Sequence, residues 1–375
     1  MRYYLVAGEA SGDLHGSLLI QSLKKLDKEA EFQFIGGERM TFESGIQPFR
    51  PIQDFAFMGF LEVIKNLRTI LKNLDIVKKD ILDYRPDALI LIDFPGFNLR
   101  LAAKAHAEGI PTYYYISPKV WAWNVKRVLK IKRDIDHMLV IFPFEVEFYQ
   151  KWRMKVDYVG NPIMDSIQRF ELDAKNSLAG NFGETKKPII ALLPGSRKQE
   201  IDKILPVMLE VIPFFPDFEF VLAGAPGFSK EYYQPYLGEI QLTIVFGETY
   251  RLLTQSTLAL VTSGTATLET AILQVPEVVL YKTSRLSYEI GKRVIRIPFI
   301  SLVNLIMQKA VVKELIQKDC SRDRLIEEIK KILPGKPERE AMLKDLAELR
   351  KKVGEAGASN RAAEKIYQYM QRPND

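Results

Sequence analysis

The sequence predicts an α/β protein of two Rossmann-like domains facing each other across a central cleft. Three observations carry this. A glycine-containing turn follows an apolar run in each half: Gly8-Glu9-Ala10-Ser11-Gly12-Asp13 after residues 3–7, and Pro194-Gly195-Ser196-Arg197 after Ile189-Ile190-Ala191. Each half then alternates short, continuous apolar runs with helical patterns, as parallel strands covered on both faces require. A chain of 375 residues that is 47% apolar suits two cores better than one.

Taken in order, the first half reads as a strand over 3–7 and a helix over 13–26, with Leu14, Leu18, Leu19 and Leu23 on one face. A strand over 88–92, a helix over 98–108 and strands over 112–116, 138–141 and 156–159 follow. Between 161 and 187, Asn-Pro, Ala-Gly-Asn, Phe-Gly and Lys-Lys-Pro signals mark a link. The rhythm restarts with strands over 188–193, 219–223, 242–245, 258–261 and 278–281, and the chain from Arg322 onward is helical and highly charged. The expected division is a first domain over 1–165, a linker over 166–187, a second domain over 188–340 and a helical tail over 341–375.

Composition excludes several classes. The single cysteine, Cys320, rules out an intramolecular disulfide and fits a reducing compartment. No secretory leader is expected, because the first apolar run meets Glu9 and a Ser-Gly-Asp turn. The uncharged stretch 252–268 contains Thr254, Gln255, Ser256 and a Thr-Ser-Gly-Thr turn, which fits a strand and helix start rather than a membrane span. The net charge of +6 permits acidic headgroups or phosphorylated substrates and does not demand nucleic acid, for which no signature appears. The three histidines, His15, His106 and His137, are scattered, and no metal set is expected; His15, just past the first glycine turn, is within reach of a ligand. The dinucleotide spacing Gly-x-Gly-x-x-Gly is missing, so a nicotinamide enzyme is not supported.

Four strand ends carry chemistry. Gly8 and Gly12 let the backbone turn tightly and approach a ligand, while Ser11 or Asp13 also suits a plain helix cap; the two readings are compatible. Asp93, in Asp93-Phe94-Pro95-Gly96-Phe97-Asn98, suits a general base toward a hydroxyl, or a structural acid bonded to nearby amides. Arg197 adds a guanidinium to a helix start, where backbone amides attract phosphate. Ser263, Gly264 and Thr265 offer amides and hydroxyls to a diphosphate, and Glu269, one turn on, suits ribose hydroxyls, although this pattern also matches an ordinary helix start.

Two stretches pair apolar anchors with basic residues. Phe60, Ile64, Leu67, Leu71, Leu74 and Ile81 alternate with Lys65, Arg68, Lys72, Lys78 and Lys79; Trp121 and Trp123 precede Lys126, Arg127, Lys130, Lys132 and Arg133. Both suit an acidic bilayer surface, and the first equally suits packing on its own sheet.

Together these motifs resemble the lipid-A-disaccharide synthase family, glycosyltransferases of the two-domain GT-B type. The resemblance spans nearly the whole chain. It adds Met58-Gly59-Phe60-Leu61-Glu62-Val63, the run from Tyr115 through Trp123, Phe142-Pro143-Phe144-Glu145, Ser301 through Ile306 and Glu314-Leu315-Ile316-Gln317 to the turns above. It implies an inverting enzyme of lipopolysaccharide synthesis in Gram-negative bacteria. Such an enzyme joins UDP-2,3-diacylglucosamine to 2,3-diacylglucosamine 1-phosphate, giving a β-1,6-linked disaccharide 1-phosphate and UDP with no metal or cofactor.

By carry-over, Asp93 is the base or acceptor-positioning acid, Arg197 neutralises UDP, and Asn304 acts near the donor. Gly195, Ser196, Ser263, Gly264, Thr265 and Glu269 complete the UDP site, and Gly8, Glu9, Ser11, Gly12 and Asp13 line the acceptor side. The resemblance also implies a cytoplasmic protein held peripherally at the inner membrane. It further implies a possible homodimer: the tail over 341–375 either packs on the first domain or is exchanged between subunits, with 337–370 as the candidate for exchange. The chain departs from the family at His15, at Gly96, commonly an acid, and at Asn161, where Gly-His-Pro is frequent; these departures concern acyl-chain and acceptor details. Another UDP-sugar enzyme of this fold, such as a 2-epimerase, would share the nucleotide turns but not Trp121-Ala122-Trp123 beside a basic helix. A non-catalytic binding protein would not need Asp93, Arg197 and Asn304 together.

Overall fold

A computed structural model describes residues 1–55, 67–175, 187–285, 288–289, 292 and 297–371. The chain forms two compact units, Met1–Asp165 with Glu355–Asp375, and Ser166–Gly354.

Unit 1 is built on β1 (Arg2–Ala7), β2 (Glu31–Gly36), β3 (Arg50–Pro51), β4 (Ala88–Ile92), β5 (Thr112–Tyr115), β6 (His137–Val140) and β7 (Asp157–Tyr158). They form one parallel sheet in the order β3-β2-β1-β4-β5-β6-β7. Because β1 pairs with both β2 and β4 (Tyr3 opposite Phe32 and Ala88), the order reverses between β1 and β4. That crevice, at the carboxyl ends of two strands whose helices leave to opposite faces, is where open α/β sheets bind ligands. β1 and β4 are almost wholly buried, as the unbroken apolar runs require. β2 was not legible, because Glu31 and Gln33 interrupt it; Gln33 Nε2 and the Tyr4 hydroxyl both donate to Asp80, at 2.5 and 2.6 Å.

Two helices begin three residues before their expected starts. The opening helix, Ala10–Leu26, is capped by an extended Glu9, so Ser11 and Asp13 lie inside its first turn. The helix after β4, Pro95–Ala107, has proline at its first position, where the missing N–H is no loss. The helix Leu67–Tyr84 buries Leu74, Val77 and Ile81 in the unit 1 core. This corrects part of the membrane reading: Leu74 and Ile81 are packing residues, while Leu71 remains exposed. Phe60, Ile64, Lys65 and the 58–63 motif lie outside the described residues.

Unit 2 contains β8 (Ile189–Leu193), β9 (Glu219–Gly224), β10 (Thr243–Phe246), β11 (Ser256–Thr262), β12 (Glu277–Tyr281) and β13 (Lys313–Ile316). Its parallel order, β10-β9-β8-β11-β12-β13, reverses between β8 and β11. The expected link opens as helix, Pro162–Lys175, and 176–186 fall outside the described residues. The expected tail divides between the units. Helix Pro337–Val353 packs in unit 2 against Thr265–Ile272 and Leu302–Met307, whereas Ala358–Gln371 lies in unit 1 against the opening helix. Asp165 caps that last helix, accepting the N–H groups of Gly357, Ala358 (3.0 Å) and Ser359 (2.7 Å). Among the described residues no helix is long and apolar enough to cross a membrane.

Candidate functional site

In unit 1 the two predicted turns come together at the reversal point. Asp93 and Phe94 both adopt the left-handed region, at φ 44° and 50°. Two consecutive non-glycine residues there store backbone strain that the surroundings must hold. Three groups do so. The buried Asn98 amide donates to the Asp93 carbonyl at 2.8 Å, the Tyr114 hydroxyl donates to the same oxygen, and the Asp93 N–H donates to the Tyr115 carbonyl at 3.1 Å. Burial, and after it the Asp93 charge, hold the Tyr114 phenol well above its ordinary pKa, so it stays a neutral donor. Asn98 also reaches the Val6 carbonyl at 3.4 Å, tying β1 to the Asp93 turn. Gly8 is there because the Phe94 ring lies over it: a Cβ would stand 2.4 Å from ring carbons.

The acceptor-side residues separate. Gly8 is buried, and Glu9 and Ser11 are half-buried at the start of the opening helix. Asp13 is instead buried and faces inward, accepting the N–H groups of Gly37 (2.7 Å), Arg39 (3.1 Å) and Met40 (3.1 Å). It caps the helix Glu38–Ser44, so its expected place on the ligand side is corrected. Gly12 lies against β1, where a Cβ would stand 3.2 Å from that of Ala7. His15 is buried too, and burial pushes its imidazole down to about 4. Arg127 is half-buried; burial, then the neighbouring Arg100, lower its pKa.

In unit 2, Gly195 turns at φ 108° after β8. A side chain there would collide with Glu200, whose carboxylate stands 2.5 Å from the Cβ position. Glu200 accepts the Ser196 N–H at 3.2 Å and the Arg197 guanidinium at 3.3 Å. Arg197 is exposed and caps the helix Lys198–Leu209. At the end of the adjacent β11, Gly264 caps the helix Thr265–Ile272 and is exposed, with Ser263 and Thr265 half-buried beside it. Glu269 accepts the Tyr250 hydroxyl at 2.6 Å. Gly195, Ser196, Arg197, Ser263, Gly264 and Thr265 thus share one strand-end crevice.

Asn304, expected near the donor, faces inward. It is 1% exposed, and its amide is saturated by the fold. Nδ2 donates to the Val312 carbonyl and to Glu314, both at 2.9 Å, and Oδ1 accepts the N–H groups of Val311 (2.8 Å) and Val312 (2.9 Å). Its link to the Ser263 turn is indirect. Glu314 also accepts the N–H groups of Ile300 (3.0 Å) and Ser301 (2.9 Å), and the Ser263 hydroxyl donates to the Ile300 carbonyl at 3.2 Å. Glu314, Glu200, Asn98 and Tyr250 received no role from the sequence. Two of them lay in quoted motifs, but the partner that gives each its role is distant in sequence or needed coordinates to be seen.

The model of the lipid-A-disaccharide synthetase family matches residues 3–368. The chain belongs to that family. Curated relatives agree over full length. The lipid-A-disaccharide synthase of Geobacter sulfurreducens is 38% identical over 368 residues, covering 96% of this chain and 95% of that protein. The synthase of Myxococcus xanthus is 37% identical over 377 residues, with 98% and 97% covered. Among solved structures, the Neisseria meningitidis UDP-GlcNAc 2-epimerase bound to UDP-GlcNAc superposes with a TM-score of 0.67 at 15% identity, over 98% of this chain and all of that one. A glycotransferase of kitacinnamycin superposes at 0.63 with 15% identity, over 98% and 99%. These neighbours share the fold, two parallel-sheet α/β domains. It is the family match, not the fold, that separates this chain from the epimerases.

Proposed function

We propose that the chain transfers 2,3-diacylglucosamine from its UDP ester to the 6-hydroxyl of 2,3-diacylglucosamine 1-phosphate, inverting the anomeric centre and releasing UDP. As a member of its family it is a glycosyltransferase of lipid A disaccharide synthesis. The observation that carries the finer reading is that Asp93 and Arg197 each lie at the reversal point of their own sheet.

The chemistry follows from what each group can do. A single displacement needs a base for the attacking hydroxyl, and Asp93, on a turn whose backbone carbonyl is held by Asn98 and Tyr114, supplies a carboxylate. The leaving diphosphate gathers negative charge. The Ser196 N–H, the Arg197 guanidinium and the start of the helix Lys198–Leu209 answer that charge, and Glu200 holds the same donors when no phosphate does. Ser263, Gly264 and Thr265 complete the UDP site, with Glu269 toward the ribose. Gly8, Glu9, Ser11 and Gly12 shape the acceptor side, and Arg100 and Arg127 offer positive charge for the acceptor phosphate. Asn304 acts by fixing the loop behind Ser263. No cofactor is part of this reading.

The proposed working place is the cytoplasmic face of the inner membrane, with Leu71, Val125 and Leu129, all exposed, among the residues toward lipid. A pair of subunits belongs to the same reading, with Ala358–Gln371 as the exchangeable element.

The deciding experiment is a mass-spectrometric product assay with both acylated sugars, in detergent and without added metal. Disaccharide 1-phosphate plus UDP is the expected result, and Asp93→Ala and Arg197→Ala each lower turnover by about a hundredfold or more. Folded protein that makes no product across several acyl lengths would end the reading, and near-normal turnover in Asp93→Ala would remove Asp93 as the base. Acidic liposomes should sediment the protein at low salt and release it at high salt; no binding at low salt would count against the membrane surface.

A further inference from the structure

Two segments of unit 1 that no step above uses meet at the carboxyl ends of β5 and β6. One is the loop after β5, which runs through a left-handed Ile116 (φ 66°) to Trp121. The other is the turn Phe142-Pro143-Phe144-Glu145. Glu145 is 1% exposed. Its Oε2 accepts the N–H groups of Ile141 (3.1 Å) and Phe142 (3.0 Å), and its Oε1 accepts the Trp121 indole N–H at 3.3 Å. The Trp121 ring meets Phe144 edge-on at 5.0 Å, and Phe144 stacks on Phe142 at 5.5 Å. Beneath them the hydroxyls of Ser117 and Tyr149 share a hydrogen bond of 2.7 Å.

A buried carboxylate is expensive unless its oxygens are matched by donors. Here every hydrogen-bond partner is an N–H, which favours the charged form. The two backbone donors are an ordinary cap for the helix Pro143–Gln150 and need only an acceptor oxygen. The indole is not required by the cap. It fixes the orientation of a ring that is otherwise half-buried, on the loop leaving the sheet beside the Asp93 turn, whose N–H bonds to Tyr115 at 3.1 Å.

We infer that Glu145 is a positioning residue, holding Trp121 so that its ring walls the acceptor side next to Asp93 and packs against an acyl chain of the acceptor. This rests on the reaction proposed above.

The link is sensitive to protons. Burial pushes the Glu145 carboxyl up to about 7, against the backbone N–H groups, the indole and Lys119, which favour its charge. The other groups facing it, Tyr149 on its own helix and Tyr158 on β7, are phenols raised by burial and stay neutral. Above about 7 the carboxylate accepts from the indole; below it the added proton faces N–H donors and the link weakens.

Glu145→Gln separates cap from link. The amide oxygen still accepts the two backbone N–H groups, but its NH₂ faces the indole N–H. The expected result is a folded protein with a KM for the acylated acceptor raised about tenfold and the change concentrated in that KM. Trp121→Phe should do the same, and the double variant should be no worse than either single one. Intrinsic fluorescence of the full chain should show a pH step centred near 7 that is lost in both variants, which keep Trp123 and Trp152. Active wild type with no fluorescence step, or with an acceptor KM indifferent to both substitutions, would overturn the positioning role. Wild type that fails to turn over the acylated sugars would overturn the acyl wall together with the reaction.

Discussion

Glu277 begins β12 with both carboxyl oxygens buried and without a hydrogen-bond partner among the described residues. Burial therefore drives its pKa well above the carboxylate range. In the unfolded chain the same group titrates near ~4.3. A raised folded pKa contributes stability that is full below the unfolded value and lost as pH rises through the folded one. Glu277→Gln removes the titration and should stabilise the protein at pH 7.5 by about 1–3 kcal/mol, with a smaller gap near pH 4. Melts at both pH values test this, and a gap that ignores pH would refute it. Asn304 makes the opposite case. Its four side-chain hydrogen bonds hold backbone and Glu314, so Asn304→Ala should destabilise by about 2 kcal/mol or more, leaving buried groups unpaired. Arg197→Ala, on an exposed turn, should leave the melting midpoint within a degree or two. A stable but inactive Asn304→Ala would instead return the residue to direct contact with substrate.

At the scale of elements, the proposed working parts are turns, and the two in unit 1 are shaped by residues far from them in sequence. The Asp93 turn follows β4, yet its shape depends on Gly8 after β1 and on Tyr114 in β5. Gly8→Ala must displace the Phe94 ring or the β1 turn, so it should depress turnover severely while leaving UDP binding to unit 2 intact. Calorimetry with UDP beside the product assay would separate the two, and equal loss of both would point to global damage. Asp13 and Ser11 show where sequence patterns mislead. Both look like caps of the helix that holds them, yet Asp13 caps the following helix, because the close approach of the opening helix to Glu38–Ser44 brings three free N–H groups to its carboxylate.

At the scale of the molecule, the chain has two units with separate cores, so the contributions proposed for Asp93 and Arg197 should be separable. Saturating UDP at about 100 times its Kd should stabilise the wild type by about 2.7 kcal/mol. Arg197→Ala should lose most of that shift and Asp93→Ala should keep it; the reverse pattern would exchange the assignments of the units. The chain closes on its first unit through Ala358–Gln371, where the Ser22 hydroxyl donates to Asn360 at 2.7 Å and His137 stacks on Tyr369 at 3.7 Å. Ending the chain at Gly354 should therefore unfold unit 1 at a lower temperature and leave UDP binding in unit 2, as a melt followed with and without UDP would report.

The sequence by itself determined the α/β class, two sheets, the four turns that end β1, β4, β8 and β11, and the family. These are local signals: apolar runs buried on both faces cannot disguise themselves, and glycine turns at strand ends are chemically conspicuous. It did not reveal β2, whose polar residues are matched by partners in other elements, nor β13, a four-residue strand that among the described residues pairs with β12 alone. Only the tertiary structure decided that Asp13 and Asn304 face inward, that Leu74 and Ile81 belong to a core, and that the charged C-terminal helices divide between the units. The physical reason is common to all of them. The role of a polar side chain is set by which donors and acceptors reach it, and of an apolar one by what covers it. Both depend on contacts between elements, which no local pattern of residues records.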